Sequence, residues 1–259
     1  MCPTPDPRET YWQQRFSASA RAAAAENEVN IYTAHGWQAR QEAIARRFRR
    51  LFATGVLPAG ARVADLGCGS GAYCRILAGL GCQTVGMDLC GDMLAYANGR
   101  GGGVAGWVCG NGAQAPFRNG VFDAVLSVGV LQHLTDEGPF LAECHRILRP
   151  GGVLVFMTLN RHTVLQAARR LLPFLRRAGI EPEAAEVSLR RYTAGELRRA
   201  LARHLPGCEI RIDPVPVLPG PFRFLEAVLR GPGPLRLLAR PFAVDLLVTA
   251  RLPATAPSP

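Results

Sequence analysis

The sequence predicts an α/β fold built on a doubly wound, mostly parallel sheet. Five short apolar stretches alternate with segments of helical periodicity, a pattern typical of a parallel sheet with helices on both faces. The first stretch runs directly into three glycines at alternate positions, Gly67, Gly69 and Gly71, and a helical pattern follows them. A strand, a glycine turn and a helix in this order are typical of a nucleotide-binding unit, because glycine permits a tight turn and a close approach of the ligand.

The predicted strands are short apolar runs bounded by glycine, proline or charged residues. The sequence Pro150-Gly151-Gly152 is expected to end a helix and to turn the chain into the fifth strand. Two further strands are expected after a longer helical region. The predicted strands cover residues 61–66, 83–88, 104–109, 122–128, 152–158, 208–213 and 242–251.

The helices are predicted from apolar residues that recur every three or four positions. Asp92 is expected to cap a helix, and Thr193 with Glu196 has the form of a capping box. Residues 29–37 form a connector of aromatic and polar residues between two N-terminal helices. One predicted helix follows Gly71 directly. The other predicted helices cover residues 9–25, 38–52, 93–98, 136–148, 163–177, 193–204 and 222–230.

The chain has 259 residues, 48% of them hydrophobic, which is enough for one α/β domain with helical additions. We expect a tail and helical cap at residues 1–52, a main domain at 53–253 that includes a helical insertion at 160–206, and a disordered tail at 254–259. No signal sequence and no apolar run of membrane-spanning length is evident, so a cytoplasmic location is expected.

The formal net charge is +10, and all thirty basic residues are arginines. The insertion at 160–206 carries ten arginines and four acidic residues. Such a basic periphery suits an anionic membrane surface or an acidic acceptor, although solvated arginine faces are the more common explanation. The eight cysteines form no Cys-x-x-Cys pair, so we expect them to be reduced and expect no metal site.

The motif Asp65-Leu66-Gly67-Cys68-Gly69-Ser70-Gly71 resembles motif I of the class I S-adenosylmethionine (SAM)-dependent methyltransferases. An acid stands two residues before the first glycine, where a carboxylate suits the ammonium of a methionyl group better than it suits a pyrophosphate. Asp88 ends the second predicted strand, where a doubly wound fold places the carboxylate that binds ribose hydroxyls.

Downstream segments carry the same resemblance. The run from Gly110 to Phe117 resembles the family segment whose first residue binds the adenine amino group, and Asn111 takes that position here. The segments 122–134 and 148–156 complete an ordered set that is similar to small-molecule methyltransferases of ubiquinone and menaquinone biosynthesis. The resemblance implies a Rossmann-like sheet of seven strands, in which the last strand is antiparallel.

The resemblance also implies SAM as the cofactor and methyl transfer by in-line displacement, in which the protein aligns the reacting atoms. His133 is the candidate general base, because it follows the fourth strand and histidine titrates near neutral pH; local packing or pocket lining is the alternative. Tyr32 and Trp37 are candidates for the substrate pocket, with ordinary packing of the cap as the alternative. The implied cofactor-binding residues are Asp65, Gly67, Cys68, Gly69, Gly71, Asp88, Leu89, Met93, Asn111, Gly112, Ala113 and Ser127.

The acceptor is expected to be a small molecule or a lipid-like molecule, roofed by the N-terminal cap and the insertion at 160–206. The apolar face of the helix at 163–177 lies beside arginines, so it suits either an amphipathic acceptor or peripheral contact with an anionic membrane; packing of that face on the sheet is the alternative. The alternatives are a wobble-uridine tRNA methyltransferase and a catalytically idle SAM-binding module. Nucleic acid is not the expected partner, because the core lacks interleaved basic and aromatic patches, and no obligate protein partner is evident.

Overall fold

A computed structural model describes residues 7–22, 26, 34–161, 189–216 and 243–254 of the chain. The helices of this part are α1 (Pro7–Ala22), α2 (Ala34–Ala53), α3 (Ala72–Gly79), α4 (Gly91–Asn98), α5 (Gly138–Ile147) and α6 (Ala194–His204). The strands are β1 (Arg62–Leu66), β2 (Gln83–Asp88), β3 (Gly106–Cys109), β4 (Phe122–Val128), β5 (Leu148–Leu159), β6 (Glu209–Pro216) and β7 (Ala243–Arg251). The helices predicted at 163–177 and 222–230 lie outside the described residues.

The seven strands form one sheet in the order β3-β2-β1-β4-β5-β7-β6. Strands β1 to β5 are parallel to one another, and β7 runs antiparallel to both β5 and β6. The chain moves outward from β1 to β3 and then resumes at β4 on the other side of β1, so the strand order reverses between β1 and β4. The predicted doubly wound sheet, with its antiparallel last strand, is therefore confirmed.

Alternating side chains of the strands enter two apolar cores, one on each face of the sheet. In β1, Val63 belongs to the core under α2 and α3, whereas Ala64 belongs to the core under α5 and α6. In β4, Leu126 and Val125 divide in the same way. Each buried aliphatic side chain contributes about 1.5–3 kcal/mol, so the two cores together fix which residues stand at the ends of the strands.

Helix α2 is attached to the sheet by buried ion pairs as well as by apolar contacts. Arg40 lies 2.8 Å from Asp245 of β7, and both side chains are almost fully buried. About two turns further along the helix, Arg47 pairs with Asp213 of β6. Removing one partner would leave an uncompensated buried charge, which makes the position of α2 on the sheet specific.

Two local predictions are wrong. Cys90, and not Asp92, is the N-cap of α4, because the helix begins at Gly91, two residues before the predicted start; Asp92 lies in the first turn, paired with Arg21. The strand β5 begins at Leu148, directly after α5, and not after the glycines. An irregularity in its pairing with β4 absorbs the glycines, and Gly151 takes a φ of 73° there.

The capping box of α6 is present as predicted: the Thr193 hydroxyl accepts from the Glu196 amide, and the Glu196 carboxylate accepts from the Thr193 amide. Among the described helices, none combines the length and the apolar character that a membrane span requires. The connector predicted at 29–37 is helical from Ala34 onward, because α2 begins four residues earlier than the apolar spacing indicated.

Candidate active site

A cavity lies at the carboxyl edge of the sheet, above the ends of β1, β2 and β4 and under α1. Parallel strands end at the same edge, and the reversal of strand order between β1 and β4 opens a crevice there. Ten residues predicted as site residues line this cavity: Trp37, Gly67, Cys68, Gly69, Asp88, Leu89, Met93, Asn111, Gly112 and His133.

The glycine turn after β1 forms the floor of the cavity. Gly67, Gly69 and Gly71 have φ values of 74°, 52° and 74°, a left-handed backbone that a side chain would strain. A Cβ on Gly67 would lie 2.2 Å from Val130 Cγ2, so the absent side chain makes room for the loop after β4. Two backbone hydrogen bonds fix the turn against β2, because the Gly67 and Cys68 amides both donate to the Met87 carbonyl.

Asp88 joins the two loops that end β1 and β2. Its Oδ2 accepts from the Gly69 amide at 2.8 Å, and its Oδ1 accepts from the Cys90 amide at 2.8 Å. Burial raises the pKa of this carboxyl, while its hydrogen bonds to the backbone lower it in part. Each oxygen keeps a second lone pair, so the carboxylate can accept from ligand hydroxyls while it fixes the glycine turn.

Asp65 lies behind the glycine turn and not in the cavity wall. The side chain is fully buried, its Oδ2 accepts from the Cys74 thiol at 3.3 Å, and its Oδ1 has no hydrogen-bond partner among the described residues. Burial raises its pKa to about 7; the Cys74 hydrogen bond opposes this and the charge of Asp88 adds to it. Asp65 is not among the residues that line the cavity, and its predicted role toward the methionyl ammonium stays a prediction.

The loop at 110–117 forms the side wall. The Asn111 Oδ1 accepts from the Ala113 amide at 2.8 Å, which turns the carboxamide oxygen toward its own backbone. Gly112 rests against the Phe140 ring of α5, where a Cβ would approach Cε2 to 2.7 Å. Asn111 and Gly112 line the cavity, whereas Ala113 is not among the lining residues.

Two more predicted cofactor residues stand away from the cavity. Gly71 packs under Trp107, and a Cβ there would lie 2.3 Å from the indole, so its role in the fold is close packing of α3 on the sheet. Ser127 is fully buried in β4, and its hydroxyl has no hydrogen-bond partner among the described residues. Tyr32 lies outside the described residues. Trp37 lines the cavity from α2 and meets Tyr73 edge to face at 5.4 Å.

Helix α1 covers the cavity. Trp12 and Phe16 point down onto His133, with ring centroids 4.3 and 5.6 Å from the imidazole. Arg8 donates to the main-chain carbonyls of Gln132 and His133 at 3.2 and 2.9 Å. The first turn and the middle of the helix are therefore attached to the turn at Leu131–His133 that follows β4.

His133 is held as a neutral ring. Burial, with the neighbouring positive charge of Arg8, lowers its pKa to about 3. Its Nδ1 is buried without a hydrogen-bond partner among the described residues, and its Nε2 lies 3.5 Å from the Gln132 carboxamide nitrogen. An imidazole with this pKa binds a proton weakly, which favours pocket lining over general-base catalysis.

Sequence reasoning missed the aromatic wall of the cavity. Trp12 and Phe16 were placed on a helix but not at the site, although their spacing of four puts both rings on one face, together with Gln13. Phe140 and Leu189 also line the cavity. Of these residues, only Trp12 and Phe16 could have been assigned to one helix face from their spacing. Phe140 and Leu189 reach the site through tertiary contacts, which the sequence does not indicate.

The chemistry of the wall fits SAM. The glycine turn supplies a stretch of backbone without side chains, Asp88 supplies a carboxylate at the end of β2, and Asn111 supplies a carboxamide on the side wall. These groups match, in turn, the methionyl portion, the ribose hydroxyls and the edge of a purine. Among the described residues, no group of three or more His, Cys, Asp or Glu side chains could hold a metal ion.

Comparisons with known proteins agree with this arrangement. Residues 64–156 match the family model "Methyltransferase domain". A ubiquinone biosynthesis O-methyltransferase of Bradyrhizobium sp. (strain ORS 278) is 35% identical over 125 residues, which are 47% of this chain and 49% of the relative. A probable tRNA methyltransferase 9B of Homo sapiens is 37% identical over 111 residues, 40% of this chain and 23% of the relative. The chain thus spans about half the length of the first relative and less of the second.

Among solved structures, an S-adenosylmethionine-dependent methyltransferase from Mesorhizobium loti superposes with a TM-score of 0.54 at 25% identity and covers 76% of this chain and 94% of its own. The matched family segment contains the glycine turn, Asp88, the 110–117 loop and the turn after β4. The chain therefore carries a class I SAM-dependent methyltransferase domain, and SAM is the cofactor of that domain.

Proposed function

We propose that the protein transfers a methyl group from SAM to a small-molecule or lipid-like acceptor by in-line displacement. The observation that carries this proposal is the cavity, which joins the cofactor loops to an apolar wall made by α1 and the loop after β4. The wall includes Trp12, Phe16, Val130 and Leu134. The ubiquinone biosynthesis relative, whose printed name describes an O-methyltransferase, supports an acceptor of this kind.

SAM, when bound, supplies an electrophilic methyl group on a sulfonium, whose positive charge disperses as the methyl leaves. The work left to the chain is to bind, to align and to keep out water. We assign ribose binding to Asp88 and binding of the purine edge to Asn111. The glycine turn would let the methionyl portion lie close against its backbone, where no side chain intervenes, and Asp65 would act on it from behind the turn.

His133 and its aromatic neighbours would line the acceptor side. The neutral ring fits against an apolar acceptor and adds no charge to the cavity. Because the pKa of His133 is held at about 3, we expect the acceptor atom to be nucleophilic without a strong base from this residue. Trp12 and Phe16 would exclude water when α1 is closed, which strengthens every polar contact below them.

Peripheral binding to an anionic membrane and a cytoplasmic location remain part of the proposal. The support is the arginine-rich composition of the insertion at 160–206, of which the described part includes α6. Retention of the protein on anionic liposomes at low salt, and release at high salt, is the expected result. Equal retention on neutral and anionic liposomes would contradict the electrostatic part.

The experiment for the main proposal is a screen of metabolite extracts with isotopically labelled SAM, in which the labelled product is identified by mass. We expect label in a small apolar or amphipathic molecule, and no label with the Asp88→Ala variant. Label found only in RNA or protein fractions would contradict the acceptor class. Failure to bind SAM at all would contradict the activity itself.

A second candidate is methylation of tRNA. The observation that favours it is the 37% identity to the probable tRNA methyltransferase 9B. The same labelled SAM, offered with total tRNA at low and high salt, separates the two candidates. Salt-sensitive labelling of tRNA would support the second, because phosphate contacts weaken steeply with salt.

A further inference from the structure

We propose that Glu143 and Arg146 are positioning residues that hold the 110–117 loop in its cofactor-binding conformation. This proposal rests on the proposed SAM site, and the two residues lie outside the sequence motifs described above. Neither side chain lines the cavity. Both stand on α5, on the outer side of the loop that carries Asn111 and Gly112.

Arg146 uses its whole guanidinium on this loop and its continuation. Its Nη2 donates to the Ala115 carbonyl at 3.0 Å, and its Nη1 donates to the Phe117 carbonyl at 2.8 Å and to the Asn119 side chain at 2.6 Å. Its Nε and Nη2 also bind Glu143 in a two-point ion pair at 2.7 and 2.6 Å. A planar fork held on one edge presents its other donors in fixed directions.

Glu143 supplies the hydrogen-bond acceptor of the pair. Its Oε1 accepts from the Ala115 amide at 2.6 Å, so the pair binds both the amide and the carbonyl of the same residue. The Arg146 guanidinium lowers the pKa of Glu143, which keeps the carboxylate ionised and able to accept. Glu143 is mostly buried, with 11% of its side chain exposed, whereas Arg146 is about one-third exposed.

These contacts matter because the loop belongs to no helix or strand. Its own backbone contributes a turn, in which the Gln114 amide donates to the Asn111 carbonyl. On the cavity side, Phe140 of α5 supports Gly112. Helix α5 therefore holds the loop at two points, about one turn apart. Phe140 supplies the apolar contact, and the pair Glu143–Arg146 supplies the polar contact.

The test compares Arg146→Gln with Arg161→Gln, in S-adenosylhomocysteine binding and in hydrogen exchange. Arg161 is a matched control, since it also forms an ion pair, with Glu196, and donates to a main-chain carbonyl, but that carbonyl belongs to Arg191 and not to the 110–117 loop. We expect Arg146→Gln to weaken binding about tenfold or more, because the loop must be ordered anew when the ligand binds. Exchange should accelerate in residues 111–117 and stay unchanged in β1.

Arg146→Lys should recover part of the affinity, since an ammonium can reach one of the carbonyls but cannot serve all of them. Glu143→Gln, which is nearly isosteric, should reproduce the faster exchange at Ala115. Unchanged affinity and unchanged exchange in Arg146→Gln would overturn the proposal, as would an equal loss in Arg161→Gln. If the unmodified protein does not bind S-adenosylhomocysteine, the proposed function fails first, and that outcome is distinct from the others.

Discussion

The two walls of the cavity are held in different ways. The lower wall, made by the glycine turn and Asp88, rests on backbone hydrogen bonds near the centre of the sheet. The upper wall, α1, is attached by side chains: Trp12 and Phe16 pack on His133, and exposed contacts such as Arg21 to Asp92 lie at its far end. We therefore expect the cofactor floor to be preformed and α1 to be the wall that is displaced more easily, because exposed side-chain contacts contribute little each.

The largest effect is expected from a change in the lower wall. Asp88→Ala removes the acceptor for the ribose hydroxyls together with the contacts to Gly69 and Cys90. SAM binding should weaken by about 2–4 kcal/mol in titration calorimetry, because charge-assisted hydrogen bonds are lost. Asp88→Asn keeps the shape and should lose less. Unchanged affinity in Asp88→Ala would show that the ligand does not use this strand end.

The next effect concerns pH and the buried carboxyl. Because the pKa of Asp65 is raised from 3.8 to about 7, the folded protein holds a proton there that the unfolded chain releases between these values. Stability without ligand should therefore fall as pH rises across this window. Asp65→Asn should remove the dependence and stabilise the protein by about 1–3 kcal/mol at pH 8, as measured by chemical denaturation.

The same variant should bind SAM more weakly, if Asp65 acts on the methionyl portion from behind the turn. A flat pH profile in the unmodified protein between pH 4 and pH 7 would contradict the raised pKa of Asp65. The conservative variant Cys74→Ser, which keeps a donor to Asp65, serves as the control.

A smaller effect is expected from the upper wall. Trp12→Ala removes the indole that covers His133, so SAM should dissociate faster and bind about 1–2 kcal/mol more weakly. Stopped-flow dissociation measures this directly. Gln14→Ala is the matched control, because Gln14 is exposed on the outer face of α1 and does not line the cavity. If both variants behave like the unmodified protein, α1 does not cover the bound cofactor.

The smallest effect is expected from the exposed attachment of α1. Arg21 and Asp92 have 73% and 33% of their side chains exposed. Arg21→Ala should change SAM affinity by less than about twofold, and the difference should vanish at high salt, because exposed ion pairs are screened. A large loss of affinity would mean that the cover is held by this pair, which would reverse the contrast between the two walls.

The sheet and its strand ends could be predicted because apolar runs, glycines and a terminal acid are local signals. Gly67, Gly69 and Asp88 lie where the motif places them. The resemblance was less informative about Asp65, Gly71 and Ser127, which the structure places behind the cavity wall. A sequence motif indicates which residues lie close together along the chain. Burial in the folded protein determines which of them line the cavity.

The remaining parts of the site depend on tertiary contacts. Phe140 is an ordinary apolar residue of α5, and only its packing under Gly112 brings it to the cavity. The low pKa of His133 depends on burial under α1 and on Arg8, which lies 125 residues away in the sequence. Spacing within a segment carries no information about such pairs. The sequence could therefore indicate His133 from its residue type and its place after the fourth strand, but it could not indicate the direction of its pKa shift.

A crystal structure with S-adenosylhomocysteine would test the central claim most directly. We expect the ligand in the cavity under α1, with the ribose hydroxyls on Asp88, the purine edge beside Asn111, and the homocysteine portion over Gly67 and Gly69. Trp12 and Phe16 should lie between the ligand and solvent. A ligand bound away from the carboxyl ends of β1 and β2, or a ribose that does not contact Asp88, would contradict the account.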